Sequence, residues 1–297
     1  MVKEAEGPRF NPFLAVLLAV LASAFSSIFT KLSSAPPLVI AFYRLFFALL
    51  IIAPLALNRE GIKEMAGLGK RQLLLAVVSG LFLSLHFAFW ITSLNYTSIS
   101  SSTVLVTMQP LFVIAGGVLF LKEKLGRGGL AGAAITLLGS MVVGLGDFRV
   151  GGEALLGDLL AFSGAFFVAV YLLIGRVLRG SISLFPYVFL VYGSSAALLL
   201  LFNIISGTPL FPYPAADWVY FVCLAVIPTI LGHTIFNWAL KYVKAAVVSV
   251  SILGEPVGAT ILAYFIFSQF PGLLQLAGGI VIIAGLYVFI RASVKWS

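Results

Sequence analysis

Ser93-Leu94-Asn95-Tyr96 opens a stretch that continues through Gln109-Pro110 and Lys122-Glu123-Lys124-Leu125-Gly126 into a glycine-rich apolar run reaching Val143. The same order returns without a gap, 146 positions on (256 − 110 = 146), as Ala239-Leu240-Lys241-Tyr242, Glu255-Pro256, Gly272 and Gly278-Gly279. Ten positions are identical at that shift: Leu94/Leu240, Tyr96/Tyr242, Val104/Val250, Pro110/Pro256, Gly126/Gly272, Leu130/Leu276, Ala131/Ala277, Gly132/Gly278, Gly139/Gly285 and Val142/Val288. Apolar bias inflates such counts, but it does not align proline, tyrosine and glycine together. The chain reads as a duplication.

Working outward, the composition sets the solvent. Hydrophobic residues make up 61% of the 297-residue chain and charged residues 9%, with a mean hydropathy of +1.14. Those values lie far from a soluble domain. About 20 apolar residues cross a bilayer as a helix. Ten such runs follow one another, at roughly 12–32, 36–57, 72–94, 99–121, 128–146, 156–177, 184–206, 217–240, 245–267 and 273–291. They are continuous rather than alternating, so helices and not a barrel satisfy the backbone in lipid. Connections are short, with only 58–71 and 207–216 of noticeable length.

The formal charge of +8 is scattered over short loops, which fits membrane orientation rather than nucleic acid. One side collects Lys3, Arg9, Arg59, Lys63, Lys70, Arg71, Lys122, Lys124, Arg127, Arg176, Arg179, Lys241, Lys244, Arg291 and Lys295. The other has Lys31 and Arg149, with Asp147, Glu153 and Asp217. Basic loops stay in the cytoplasm, so both termini are expected to be cytoplasmic. The single Cys223 offers no disulfide or metal framework. Lys3, Arg9 and Ala22-Ser23-Ala24 resemble a signal peptide, but the apolar run continues to Phe29 and has a counterpart later, so it reads as the first span.

The earlier spans also correspond, more loosely: Leu14–Lys31 with Leu159–Arg176, and Pro37, Tyr43-Arg44 with Pro186, Tyr192-Gly193. Each half then supplies five helices, within 10–147 and 155–291. An odd number inverts the second half. Inverted repeats characterise secondary transporters, whose substrate site lies near the midplane between the halves.

Ala/Ser-Leu-x-Tyr, a mid-helix proline, Leu-x-Glu-x-Leu-Gly and a glycine-rich helix together resemble the EamA domain. Two in tandem are similar to the drug/metabolite transporter superfamily, over about residues 12–291. The first copy matches through Pro110 and Leu121-Lys122-Glu123-Lys124-Leu125-Gly126, whereas the second reads Phe267-Ser268-Gln269-Phe270-Pro271-Gly272 where the glutamate motif belongs. The resemblance implies a ten-helix carrier with a central cavity, commonly an exporter of amino acids or related metabolites. Bacterial aromatic amino acid exporters share the layout. Nucleotide-sugar and triose-phosphate carriers share the superfamily, so the resemblance leaves the substrate class open.

Polar groups inside a bilayer cost several kcal/mol unless paired or solvated, so each is a candidate. At 1.5 Å per residue, Arg44 lies ~12 Å below the outer end of the second span and Glu255 ~16 Å above the inner end of the ninth. In a core ~30 Å thick these depths are similar. The two are expected to face one interior, as an ion pair or as partners for opposite ends of a zwitterion. The plainer alternative is a snorkelling Arg44 and a protonated, structural Glu255.

Ser79, His86, Trp90 and Ser93 share one face of the third span, and Thr229, His233 and Asn237 one face of the eighth. Phe87, not His86, aligns with His233 at the 146 shift, so a shared metal pair is not expected. Gln109 and Glu255 occupy equivalent positions before Pro110 and Pro256, where proline removes a backbone donor and kinks the helix. Tyr43 and Tyr192 also correspond. The expected cavity residues are thus Tyr43, Arg44, His86, Trp90, Gln109, His233, Asn237 and Glu255, with Pro110 and Pro256 as kinks or hinges.

These observations describe a secondary transporter of small organic metabolites, with an amino acid exporter leading and nucleoside, sugar or drug efflux as the alternative. A channel-like facilitator and an intramembrane enzyme are further alternatives. No catalytic cluster, cofactor or metal motif, or ATP-binding motif appears. A small-molecule substrate, membrane lipid and a coupling proton are the partners considered, and monomer and homodimer both remain open.

Overall fold

The computed structural model describes Pro8 and residues 10–145, 152–268 and 270–294. Lys3, Arg9, Asp147, Arg149, Gln269, Lys295 and Trp296 lie outside the described residues. Ten helices long and apolar enough to span a membrane occur among the described residues. They are α1 Pro12–Leu32, α2 Pro37–Ala56, α3 Lys70–Ser93, α4 Ser101–Leu121, α5 Arg127–Leu145, α6 Glu153–Leu178, α7 Leu184–Ile205, α8 Ala215–Ala239, α9 Ala245–Phe267 and α10 Leu273–Ser293. The protein is an all-helical multi-pass membrane protein. One further short helix, Arg59–Ala66, sits in the 58–71 connection, where Asn58 caps it by accepting from Gly61 N at 2.8 Å.

The duplication is visible in the packing. α3 packs on α6, and its repeat mate α8 packs on α1, the mate of α6. α2 meets its mate α7, and α5 meets its mate α10. Gly132 lies against Phe289, Thr136 against Gly285 and Gly139 against Ile282. The numbers rise on α5 as they fall on α10, so these equivalent helices are antiparallel. The contacts Thr136–Gly285 and Gly139–Ile282 exchange under the 146 shift (136 + 146 = 282; 139 + 146 = 285). That is a pseudo-two-fold in the membrane plane, and the halves are inverted.

Interruptions repeat as well. α4 breaks at Met108–Gln109 and α9 at Leu253–Gly254, each just before its proline. Both helices end with a non-glycine residue in the left-handed region, Lys122 (φ 55°) and Ser268 (φ 54°). These two positions are again 146 apart, and their amides bond back to Gly117 O and Ala263 O. α1 has a discontinuity at Ala24.

α8 departs from the symmetry. Ala225–Thr234 is π-helical and contains Pro228. Thr229 Oγ1 donates to Leu224 O at 2.8 Å and Thr234 Oγ1 to Thr229 O at 3.2 Å. The matching stretch of α3 stays α-helical. π-helical turns often mark functional positions.

The α5–α10 contact makes one prediction. A Cβ on Gly285 would lie 2.5 Å from Thr136 N, whereas one on Gly272 meets nothing within 4 Å. Gly285→Ala should therefore destabilise by about 1–3 kcal/mol, while Gly272→Ala should stay near wild type. Thermal unfolding of the purified protein in micelles checks the difference, and equal melting points would remove the close approach.

Candidate functional site

The three helix interruptions and the π-helical segment surround one cavity between the halves. It is lined from α1 by Ser23 and Ser26, from α2 by Arg44, and from α3 by His86, Phe87 and Trp90. Val106, Thr107 and Gln109 come from α4, Val168 from α6, His233 and Phe236 from α8, and Ile252 and Glu255 from α9. The centre of a water molecule can reach about 40 Å³ of it. That volume accommodates about three waters and is too small for a metabolite, so the site is contracted in this conformation.

Arg44 is 1% exposed. Its Nε donates to Thr229 Oγ1 and its Nη1 to Ser26 Oγ, both at 2.7 Å. Its guanidinium lies 4.1 Å from the centre of the Phe87 ring. A guanidinium keeps its charge in proteins, and here it is held from α1, α3 and α8 at once. The π-helical turn lets the Thr229 hydroxyl give its proton to Leu224 O, leaving a lone pair for Arg44.

Glu255 is the one acidic residue of the cavity lining. The expected direct ion pair is corrected by the geometry. Among the described residues the one carboxylate–cation pair within 4.0 Å is Glu123–Arg176. The guanidinium nitrogens Nε and Nη1 serve Thr229 and Ser26 instead. Glu255 receives no hydrogen bond from the described residues.

The two histidines come together although the repeat does not pair them. Their ring centres are 6.3 Å apart, and His86 stacks on Trp90 at 6.1 Å with 7° between planes. His86 Nδ1 is 3.0 Å from Gly164 O. A carbonyl only accepts, so Nδ1 carries the hydrogen and Nε2 of the neutral ring keeps its lone pair. Three polar atoms at the cavity have no hydrogen-bond partner among the described residues: Ser23 Oγ, Trp90 Nε1 and Gln109 Oε1. Buried polar atoms in native proteins are almost always partnered, so these three mark a place built for something else.

Six of the eight expected cavity residues therefore line one space. Tyr43 and Asn237 do not. Tyr43 donates to Leu210 O at 3.1 Å and stacks on Phe221 at 5.0 Å, beneath the 207–214 connection. Asn237 lies behind the wall, bonded through Nδ2 to Tyr171 Oη and to His233 O. Pro110 is buried, and Pro256 lines a vestibule rather than the central cavity. Ser23, Ser26, Thr107 and Phe236 are cavity residues that no charge or repeat position singled out. Ser26 lies two residues past the Ala24 discontinuity, which carries no proline.

The two faces of the protein differ. At the basic-rich face Arg176 Nε meets Glu123 Oε1 at 2.9 Å, and Arg176 Nη1 donates to Leu240 O at 2.6 Å. Lys244 Nζ donates to Lys124 O at 3.0 Å. These bonds tie the α4–α5 connection of the first half to α6 and the α8–α9 connection of the second. Nearby, Arg179 Nε donates to Asn237 O at 3.0 Å, and burial lowers the pKa of its guanidinium from the usual value. At the opposite face a vestibule of about 730 Å³ runs between the ends of α1, α4, α9 and α10, with Lys31, Thr97, Thr103, Pro256 and Phe270 in its wall.

Comparison with known proteins agrees with this architecture. The EamA-like transporter family matches residues 11–145 and again 155–291. The chain belongs to that family. Two Archaeoglobus fulgidus proteins described as uncharacterized transporters are similar to it. One is 26% identical over 94% of this chain and 96% of the relative, the other 23% identical over 93% and 95%. A crystal structure of an 18% identical protein superposes with a TM-score of 0.79 over 96% of this chain and 99% of that one, which shows the shared fold. The EamA chain is thus a membrane transporter for a small molecule.

If Arg44 and Glu255 share one field, their effects on stability are coupled. Arg44→Ala with Glu255→Gln should be less damaging than the sum of the single changes, by about 0.5–3 kcal/mol. A double-mutant cycle on unfolding in micelles measures it, and strict additivity would separate the two charges.

Proposed function

We propose that this EamA-family chain exports an amino acid with an aromatic or apolar side chain by alternating access between its two inverted halves. The observation that carries the reading is the central cavity itself. Paired helix breaks, the buried Arg44, the Glu255 carboxyl group and unpartnered polar atoms converge there with Trp90, Phe87 and Phe236. One arginine balanced by one glutamate suits a zwitterion or a neutral compound better than a phosphorylated one. The aromatic wall suits an apolar side chain.

The basic-rich face is cytoplasmic in this reading, by the excess of Lys and Arg in its short connections. The Glu123–Arg176 and Lys244–Lys124 contacts then form an inner latch, and the vestibule opens outward. Substrate exchange requires the latch to part while the α1, α4, α9 and α10 ends converge. The prolines at the breaks of α4 and α9 are the places where those helices can bend.

Counterflow in proteoliposomes tests the function. Saturable exchange of phenylalanine or leucine is expected, reduced at least about tenfold in Glu255→Gln and Arg44→Ala, as for loss of a charged hydrogen-bonding group. Exchange intact in both variants would keep the transporter and sink the site. Exchange of nucleosides or sugars alone would replace the substrate class.

The latch makes a separate prediction. A partly exposed pair of this kind contributes about 1 kcal/mol, so Glu123→Gln should raise the inward-open population about fivefold. With Cys223→Ser as background, Val243→Cys at the inner pocket should label correspondingly faster from the cytoplasmic side. Unchanged labelling would mean that the pair does not hold the gate.

A further inference from the structure

Hydrogen-bond supply and demand are unequal at the paired helix breaks. Gln109 is 2% exposed and its Oε1 has no partner among the described residues. Its repeat mate Glu255 (109 + 146 = 255) accepts no hydrogen bond from them either. Pro110 and Pro256 have no N–H to return to the carbonyls four residues back, those of Val106 and Ile252. Both of those residues line the cavity, and they too are repeat mates (106 + 146 = 252). The first half of each broken helix, Ile99–Thr107 and Ala245–Ile252, ends at the cavity.

The nearby donors do not reach these acceptors. Arg44 directs Nε and Nη1 to Thr229 and Ser26, and the ring of Phe87 faces its guanidinium. His86 uses its Nδ1 hydrogen on Gly164 O. Trp90 Nε1 is a single donor and is itself without a partner.

We propose that Gln109 and Glu255, with the carbonyls of Val106 and Ile252, form a two-fold-related acceptor set that takes a protonated primary amine, whether or not the ligand also carries a carboxylate. An ammonium group brings three N–H donors to acceptors that have none. A carboxylate brings only more acceptors. The group is about the size of a water molecule, so it fits the contracted cavity, while the rest of the ligand requires the vestibule side to stay open. Trp90, whose ring carries no cation, supplies the aromatic wall beside it. The inference deepens the proposed function and rests on this cavity being the substrate site.

The test uses the purified full-length protein in micelles and follows its melting temperature with added phenethylamine. 3-Phenylpropionate and 2-phenylethanol are the anionic and neutral counterparts, and sodium chloride is compared with choline chloride. Phenethylamine is expected to raise the melting temperature saturably, with the other compounds inactive at the same concentration. Gln109→Leu and Glu255→Gln should each weaken the apparent affinity at least about tenfold. Gln109→Glu, which adds a second carboxylate, should tighten it several-fold and keeps the test valid if Glu255→Gln does not fold.

Stabilisation by 3-phenylpropionate equal to that by the amine would overturn the proposal. So would wild-type amine affinity in all three variants, or a sodium effect that replaces and blocks the amine, which would mean an inorganic cation site. Amine binding with the expected residue dependence, but without amino acid counterflow, would retain this subsite and reject the transport reading. Counterflow without amine binding would do the reverse.

Discussion

A guanidinium held in the middle of an apolar bundle is the constraint on which the rest of this structure depends. Stranding such a charge in hydrocarbon costs several kcal/mol at the least, and Arg44 escapes that cost through partners drawn from three other helices. Ser26 comes from beside the discontinuity in α1, Thr229 from the π-helical turn of α8 and Phe87 from α3. Thr229 needs that wide turn to pass its own hydrogen to Leu224 O. Local backbone irregularity in two helices and a buried cation in a third are therefore one arrangement. The Glu255 carboxyl group stands apart from it, outside ion-pair distance of any described cation.

Around that centre the duplication divides the labour. α5 and α10 meet through glycine without touching the cavity, and they hold the two halves in register. The helices that do line it carry the breaks. α4 and α9 bend at equivalent positions and end in equivalent left-handed residues, although Lys122 and Ser268 share no chemistry. Backbone geometry has outlasted side-chain identity at those caps, which fits a position where the chain must leave a helix sharply.

The sequence made the helical class, the count of spans and the inversion legible, because each rests on a strong and additive signal. Length and hydropathy define a span, while proline, tyrosine and glycine fix the 146-residue shift. Arg44 and Glu255 were legible as partners in one cavity because ionisable residues inside a span are rare. Their separation was not, since it depends on Ser26 and Thr229 outbidding Glu255 for the guanidinium, and a serine on an apolar helix gives no warning. The approach of His86 to His233 was hidden for a related reason. Counting along the repeat pairs His233 with Phe87, and the π-helical turn rotates one helix relative to the other. Pro228 was its only trace. Tyr43 and Asn237 look polar and buried in the sequence, and they are, but they bond to a connection and to a neighbouring tyrosine instead of facing the cavity.

The latch at the basic-rich face has a consequence for how a duplicated transporter comes to rest. Two identical inverted halves would give a machine with no preferred orientation, because exchanging their conformations returns the same structure facing the other way. Here the residues equivalent to Glu123 and Arg176 are Gln269 and Lys31. A pair of opposite charges has become an amide and an amine, which lack the same mutual attraction. The lost carboxylate is one asymmetry between the copies, beside the π-helical turn of α8. In the proposed cycle, divergence between the copies rather than any feature they share would set the resting direction.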